Sequence, residues 1–267
     1  MGSEEIVADM QISSKAIDLI VVIALALLTL LPSAIFILPS LALIIAWFLA
    51  PAGFLILRRK KNLTKITLAS LVIGLLAFGL DIAVLHNHGW TPYRSDFSFR
   101  IFGAPPEEAL WFFFHIFYIL VWYEHFLDDE RDGGISPRFP SLIAFSIVTF
   151  VLVVIAVSFF PDASRIRYAY LTLGVLSMTP IISWSIATRR ALLKKFLPLA
   201  VFFFLLASSM EIRAVQYGLW SFPDINNYLG VITLSGAAFP IEEIIFWMML
   251  APSVALAYYE LFADDGG

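Results

Sequence analysis

The chain has no cysteine among its 267 residues, so disulfides, thiolate metal sites and a cysteine nucleophile are all excluded. Charge is scarce: Asp, Glu, Lys and Arg make up 14% of the residues, against about a quarter in an ordinary soluble domain. The net charge of −4 is small, and no Lys/Arg-rich tract is interleaved with aromatics, which argues against a nucleic-acid partner. No GxGxxG fingerprint follows a strand-like run. The acidic N-terminus, MGSEEIVADMQISSK, lacks the basic leader and cleavage site expected of a signal peptide.

What the chain does have is apolar residues, 60% of the total, gathered in long blocks rather than in an amphipathic pattern. Blocks of about 18 or more such residues read as membrane-spanning helices. Eight are expected, near 16–31, 34–57, 64–86, 105–127, 140–160, 168–188, 194–216 and 240–261, with Pro32 and Ser33 breaking the first block. The fold class is therefore all-α, a polytopic membrane helix bundle lodged in the lipid bilayer. Arg58, Arg59, Lys60, Lys61 and Lys65 follow the second span, and Arg189, Arg190, Lys194 and Lys195 the sixth. Arg131 and Arg138 fall on the same side. The positive-inside bias places that side, with both termini, in the cytoplasm. Arg165 and Arg167 on the other side run against it.

Two stretches of the chain look alike. Asp81 precedes Trp90 by nine residues, and Glu211 precedes Trp220 by nine. Pro105-Pro106-Glu107-Glu108 and Pro240-Ile241-Glu242-Glu243 each open an apolar helix, the second after a longer loop. The repeat divides the chain into residues 1–130 and 131–267, each with four spans. An even number of spans gives the two copies the same orientation, related by a pseudo-two-fold axis along the membrane normal.

Proline and acidic residues suit a helical first turn for capping reasons alone. A single glutamate would serve the dipole, however, and carboxylates at bilayer depth are costly enough to mark function. Residues three and four apart share a helix face. Glu107 and Glu108 then stand over Trp111 and Phe112, with His115 a turn further, and Glu242 and Glu243 stand over Phe246 and Trp247. An apolar floor and a neighbouring carboxylate both disfavour ionisation, so such a pair can keep a proton and act as a general acid. Aromatic faces can stabilise a carbocation. Asp81 and Glu211 are read as further carboxylates of the site, and Trp90 and Trp220 as pocket walls or interfacial anchors. His86, His88, His115 and His125 lack metal-ligand spacing on one face, and no metal is expected.

The run GLWSFPDINNYLGVITLSGAAFPIEEIIFW resembles the signature of the membrane-embedded lycopene cyclase domain, the heterodimeric or fused type. Trp90 and PPEEALWFFF match it more loosely. At motif level the resemblance covers Asp81–Trp122 and Glu211–Ala257, and members often carry two such domains in tandem. It implies lycopene β-cyclase activity in carotenoid biosynthesis, an isomerase reaction of the intramolecular-lyase kind with a carotenoid substrate and no cofactor. It further implies catalytic roles for Glu107, Glu108, Glu242, Glu243, Asp81 and Glu211, with Trp90, Trp220, Trp111, Phe112, Phe246 and Trp247 binding substrate.

Three other classes share part of this pattern. A carotenoid hydratase would share the protonation step and admit water. A CaaX-type intramembrane protease would need an arginine four residues after Glu-Glu, where this chain has Phe112 and Trp247, and the second half has no histidine. A proton-coupled transporter suits tandem repeats with intramembrane acids and helix-breaking Pro51, Pro180 and Pro198.

Overall fold

The computed structural model describes residues 14–35, 38–58, 63–128 and 134–264. The acidic N-terminal segment, Arg59, Lys60, Lys61, Arg131 and the boundary between the two expected units lie outside the described residues.

Among the described residues, eight long helices form one all-α bundle: α1 (Ser14–Ile35), α2 (Ser40–Arg58), α3 (Leu63–His86), α4 (Pro106–Phe126), α5 (Phe139–Phe159), α6 (Ala169–Thr188), α7 (Leu192–Gln216) and α8 (Glu243–Ala263). Among the described residues, α2 to α8 are each long and apolar enough to cross a membrane, so the chain is an integral membrane protein. Helices satisfy every backbone polar group internally, which is what hydrocarbon demands. The expected break at Pro32–Ser33 is not observed. Helix α1 continues to Ile35, and α2 starts after Pro39, whose extended conformation serves as its N-cap. Proline fits a helix start because its missing N–H has no partner to lose there. Pro180 and Pro198 are tolerated inside α6 and α7.

The order of packing interlaces the two halves. Helix α3 packs on α4 and equally on α5, α1 lies against α7, and α4 and α8 cross at the centre. The loops at one end of the bundle are pinned together by β1 (Thr91–Pro92) and β2 (Trp220–Ser221), which pair antiparallel. The longer loop before α8 is a hairpin of β3 (Val231–Leu234) and β4 (Ala237–Pro240), turning at Ser235-Gly236 with both residues at positive φ. A shorter version occurs before α4, where Ile101 pairs with Ala104 around Phe102-Gly103, again at positive φ. Two residues at positive φ match the twist of the flanking strands.

The opposite end of the bundle is held by buried charge. Helix α4 runs out through Tyr123-Glu124-His125-Phe126-Leu127-Asp128 and α8 through Tyr259-Glu260-Leu261-Phe262-Ala263-Asp264. The contacts between them are reciprocal. The Tyr123 hydroxyl donates to Glu260, and the Tyr259 hydroxyl donates to Glu124. Lys65 lies 3.6 Å from Glu124 and 3.0 Å from Asp264, while Lys195 lies 3.6 Å from Glu260 and 3.7 Å from Asp128. Arg189 adds a 3.1 Å contact to Glu260, and Asp18 on α1 receives Arg58 at 2.7 Å and His125 at 3.0 Å. Lys65 is only 2% exposed, so its ammonium is tolerable only because carboxylates surround it.

Removing one partner of a buried pair leaves its counter-charges uncompensated. Lys65→Met is expected to destabilise the protein by about 3–5 kcal/mol, read as a lower Tm in detergent. Adding Glu124→Gln and Asp264→Asn to it should recover part of that loss.

Candidate functional site

At the loop end, a cavity of about 120 Å³ lies between α3, α4, α6, α7 and α8. Its carboxyl lining is Asp81, Glu108, Glu211 and Glu243. No lysine or arginine is among its described lining residues.

Each acid arrives by a local device. Helix α3 ends at His86 and the chain doubles back through Asn87, His88 and Gly89, with the Gly89 N–H bonded to the Val84 carbonyl. A side chain at Gly89 would meet Val84 at 2.4 Å, so the reversal needs glycine for space. The turn lays Trp90 back on its own helix, where its indole N–H donates to Asp81 Oδ1 at 2.9 Å. Helix α7 ends the same way, with the Leu219 N–H bonded to the Ala214 carbonyl and the Trp220 indole donating to Glu211 Oε2 at 3.1 Å. In both cases the nine-residue spacing is the length of one helix end folded onto itself. Arg213 does not neutralise Glu211; it donates to Gln216 Oε1 at 3.0 Å.

The Pro-x-Glu-Glu pairs separate into two orientations by rotation around the helix. Consecutive helical residues point about 100° apart. Glu107 turns outward to its own loop, accepting from the Asp96 N–H and from Ser95 Oγ at 2.9 Å. Glu242 does the same, accepting from the Leu229 N–H at 2.6 Å. Both are buried and neither lines the chamber. Glu108 and Glu243 face it instead. One oxygen of Glu243 and one of Asp81 are buried without a hydrogen-bond partner. From Glu243 to Leu250, α8 winds as a π-helix, a local widening often found at functional sites.

The aromatic walls come from both halves. Trp111 meets Trp220 edge-on at 6.0 Å, and Phe112 meets Trp247 at 5.7 Å. Trp90, Trp111, Phe112, Trp220 and Trp247 all line the cavity. Phe246 does not: its ring fills the notch at Gly174 on α6, where an added Cβ would lie 2.5 Å from it. Sequence reasoning did not single out Tyr170, Phe222 or Tyr258, which also line the chamber, and it gave no role to His115, which stacks on Phe48 at 4.9 Å. Tyr170 and Glu243 face the same chamber. Beneath it, the Tyr228 hydroxyl donates to the Gly89 carbonyl at 2.9 Å, and burial pushes that phenol up from its ordinary range.

The arrangement is a set of proton-bearing or proton-accepting groups facing apolar rings. It can deliver a proton to an apolar molecule and remove one, and its π faces can support positive charge in between. Comparison with protein-family models, curated proteins and solved structures finds no match to this chain.

Because Phe246 occupies the space beside Gly174, Gly174→Ala should destabilise the protein by about 1–3 kcal/mol. In a thermal-unfolding double-mutant cycle with Phe246→Ala, the two effects should be less than additive.

Proposed function

We propose that the chain is a lycopene β-cyclase, converting acyclic ends of a carotenoid into β-rings without net redox change. The observation that carries this reading is the convergence of Glu108 and Glu243 with Asp81 and Glu211 on one aromatic-walled cavity within a membrane bundle. Glu108 or Glu243 protonates the terminal double bond of the polyene, leaving a tertiary cation. The neighbouring double bond attacks that cation and closes a six-membered ring. A second carboxylate of the chamber takes a proton from the ring carbon next to the new cation, and the electron pair left behind forms the ring double bond. One proton enters and one leaves, so the product is an isomer. Trp111, Trp220, Phe112 and Trp247 present π faces to the cation, and exclusion of water separates ring closure from hydration. Asp81 and Glu211, tied to Trp90 and Trp220, position the walls and complete the set of acids.

Glu107 and Glu242 act differently in this reading, as anchors of the loops that cover the chamber. The reciprocal contacts of Tyr123, Glu124, Tyr259 and Glu260 support two tandem copies, 1–130 and 131–267, around a pseudo-two-fold axis. The basic residues gather at that end, favouring cytoplasmic termini in the cell membrane and a chamber near the outer face.

The test is pigment chromatography in a lycopene-accumulating bacterium. The unmodified chain should make cyclic carotenoid. Glu108→Gln and Glu243→Gln should each lose about 10²-fold or more. Glu107→Gln and Glu242→Gln, whose amide oxygens can still accept the loop N–H groups, should lose about tenfold or less. Full activity in a Glu108→Gln/Glu243→Gln double variant would eliminate the assignment.

A further inference from the structure

The acid chamber is not the only apolar space in the bundle. A second one, about 530 Å³, lies between α3, α5, α6 and α8. Leu76, Leu80, Ser177 and Tyr258 line both, so the two spaces meet at a neck made of these four side chains. Consecutive helices α5 and α6 barely touch each other, since α5 packs on α3 and α6 on α8. The space between them is therefore a groove that opens sideways to lipid: Phe145, Leu176 and Trp184 on its rim are 50%, 67% and 44% exposed. Among its described lining residues there is no ionisable group other than the Tyr258 phenol at the neck. Leu173, Leu176, Pro180 and Trp184 run along one side of α6, a length of about 16 Å at 1.5 Å per residue. The corresponding place beside α1 is closed, because α1 packs along α2, with Thr29 Oγ1 3.5 Å from the Ala46 carbonyl.

We propose that this groove is the lateral opening and tail-binding channel of the protein, holding an extended apolar chain whose end passes the Leu76–Leu80–Ser177–Tyr258 neck to reach the acids. The inference rests on the cyclase reading for the identity of the chain, a long acyclic polyene. It adds that the polyene enters from the bilayer on one side only. One end is then presented at a time, and the remainder lies along α6 toward the basic end of the bundle. The two acid pairs consequently serve a single end in each binding event. A second ring requires the polyene to leave, turn round and re-enter.

The experiment uses the full chain in lipid nanodiscs loaded with lycopene, reading pigment retained per protein after washing and, separately, cyclic product formed. Ser177→Trp fills the neck and Thr149→Trp the mid-groove, while Leu205→Trp places the same bulk on the exposed face of α7 away from both spaces. Ser177→Trp and Thr149→Trp should each lower retained pigment and product at least tenfold, and Leu205→Trp should change neither. At early times the monocyclic product should precede the bicyclic one and be released into the bilayer. Retention at the unmodified level in both groove variants would overturn the proposal, as would failure of the unmodified chain to retain pigment or retention of phospholipid that lycopene does not displace. If the unmodified chain holds pigment, both groove variants release it and no variant forms rings, the channel stands and the cyclase reading falls.

Discussion

Four carboxylic side chains, Asp81, Glu108, Glu211 and Glu243, share one apolar chamber with no lysine or arginine among its described lining residues. Like charges confined this closely in a low-dielectric space cannot all be ionised cheaply, and such groups commonly share protons. The rest of the molecule is arranged so that this crowding persists. At the other end of the bundle Lys65, Lys195, Arg58 and Arg189 are each matched to carboxylates there. The paired acids of one end and the unpaired acids of the other are what distinguish the two ends of the bundle.

The two ends support each other through the helices that join them. Helices α4 and α8 carry an acid at the chamber end and a tyrosine–glutamate step at the basic end, where each bonds the other's partner. Sliding or rotating either helix would break the crossed pairs of Tyr123 with Glu260 and Tyr259 with Glu124. That fixes the rotation of Glu108 and Glu243 toward the cavity, and of Glu107 and Glu242 toward the loops. The indole bonds from Trp90 and Trp220 do the same for the acids on α3 and α7. A buried polar network of this kind is valuable when complete and costly when one member is lost.

Much of the architecture was legible because membrane helices announce themselves by length and apolarity. Seven of the expected spans lie within a few residues of the observed helices. The break between α1 and α2 was misplaced because the sequence offers two prolines; Pro32 lies within the helix, while Pro39 starts the next. The acidic motifs were legible as a pair, but treating adjacent glutamates as equivalent ignored the rotation between neighbouring helical residues, which sends one of each pair away from the site. The Tyr-Glu-x-Phe-x-Asp likeness escaped for a different reason. The motif glutamates are offset by 135 residues and the tyrosine–glutamate steps by 136, and the π-helical turns of α8 offer room for the extra residue. Tyr170 gave no local signal, since a lone tyrosine near the start of an apolar span has many bland explanations; only the tertiary approach of α6 to α8 brings it into the chamber that Glu243 lines.

If carboxyl groups in a dry chamber supply the proton that starts the reaction, that proton must be traceable. The purified protein in nanodiscs, fully exchanged into D2O and given less than one equivalent of lycopene, should yield a first ring carrying one deuterium and no added oxygen, by mass spectrometry. A cyclic product without deuterium, or a product that has gained oxygen from water, would contradict the account.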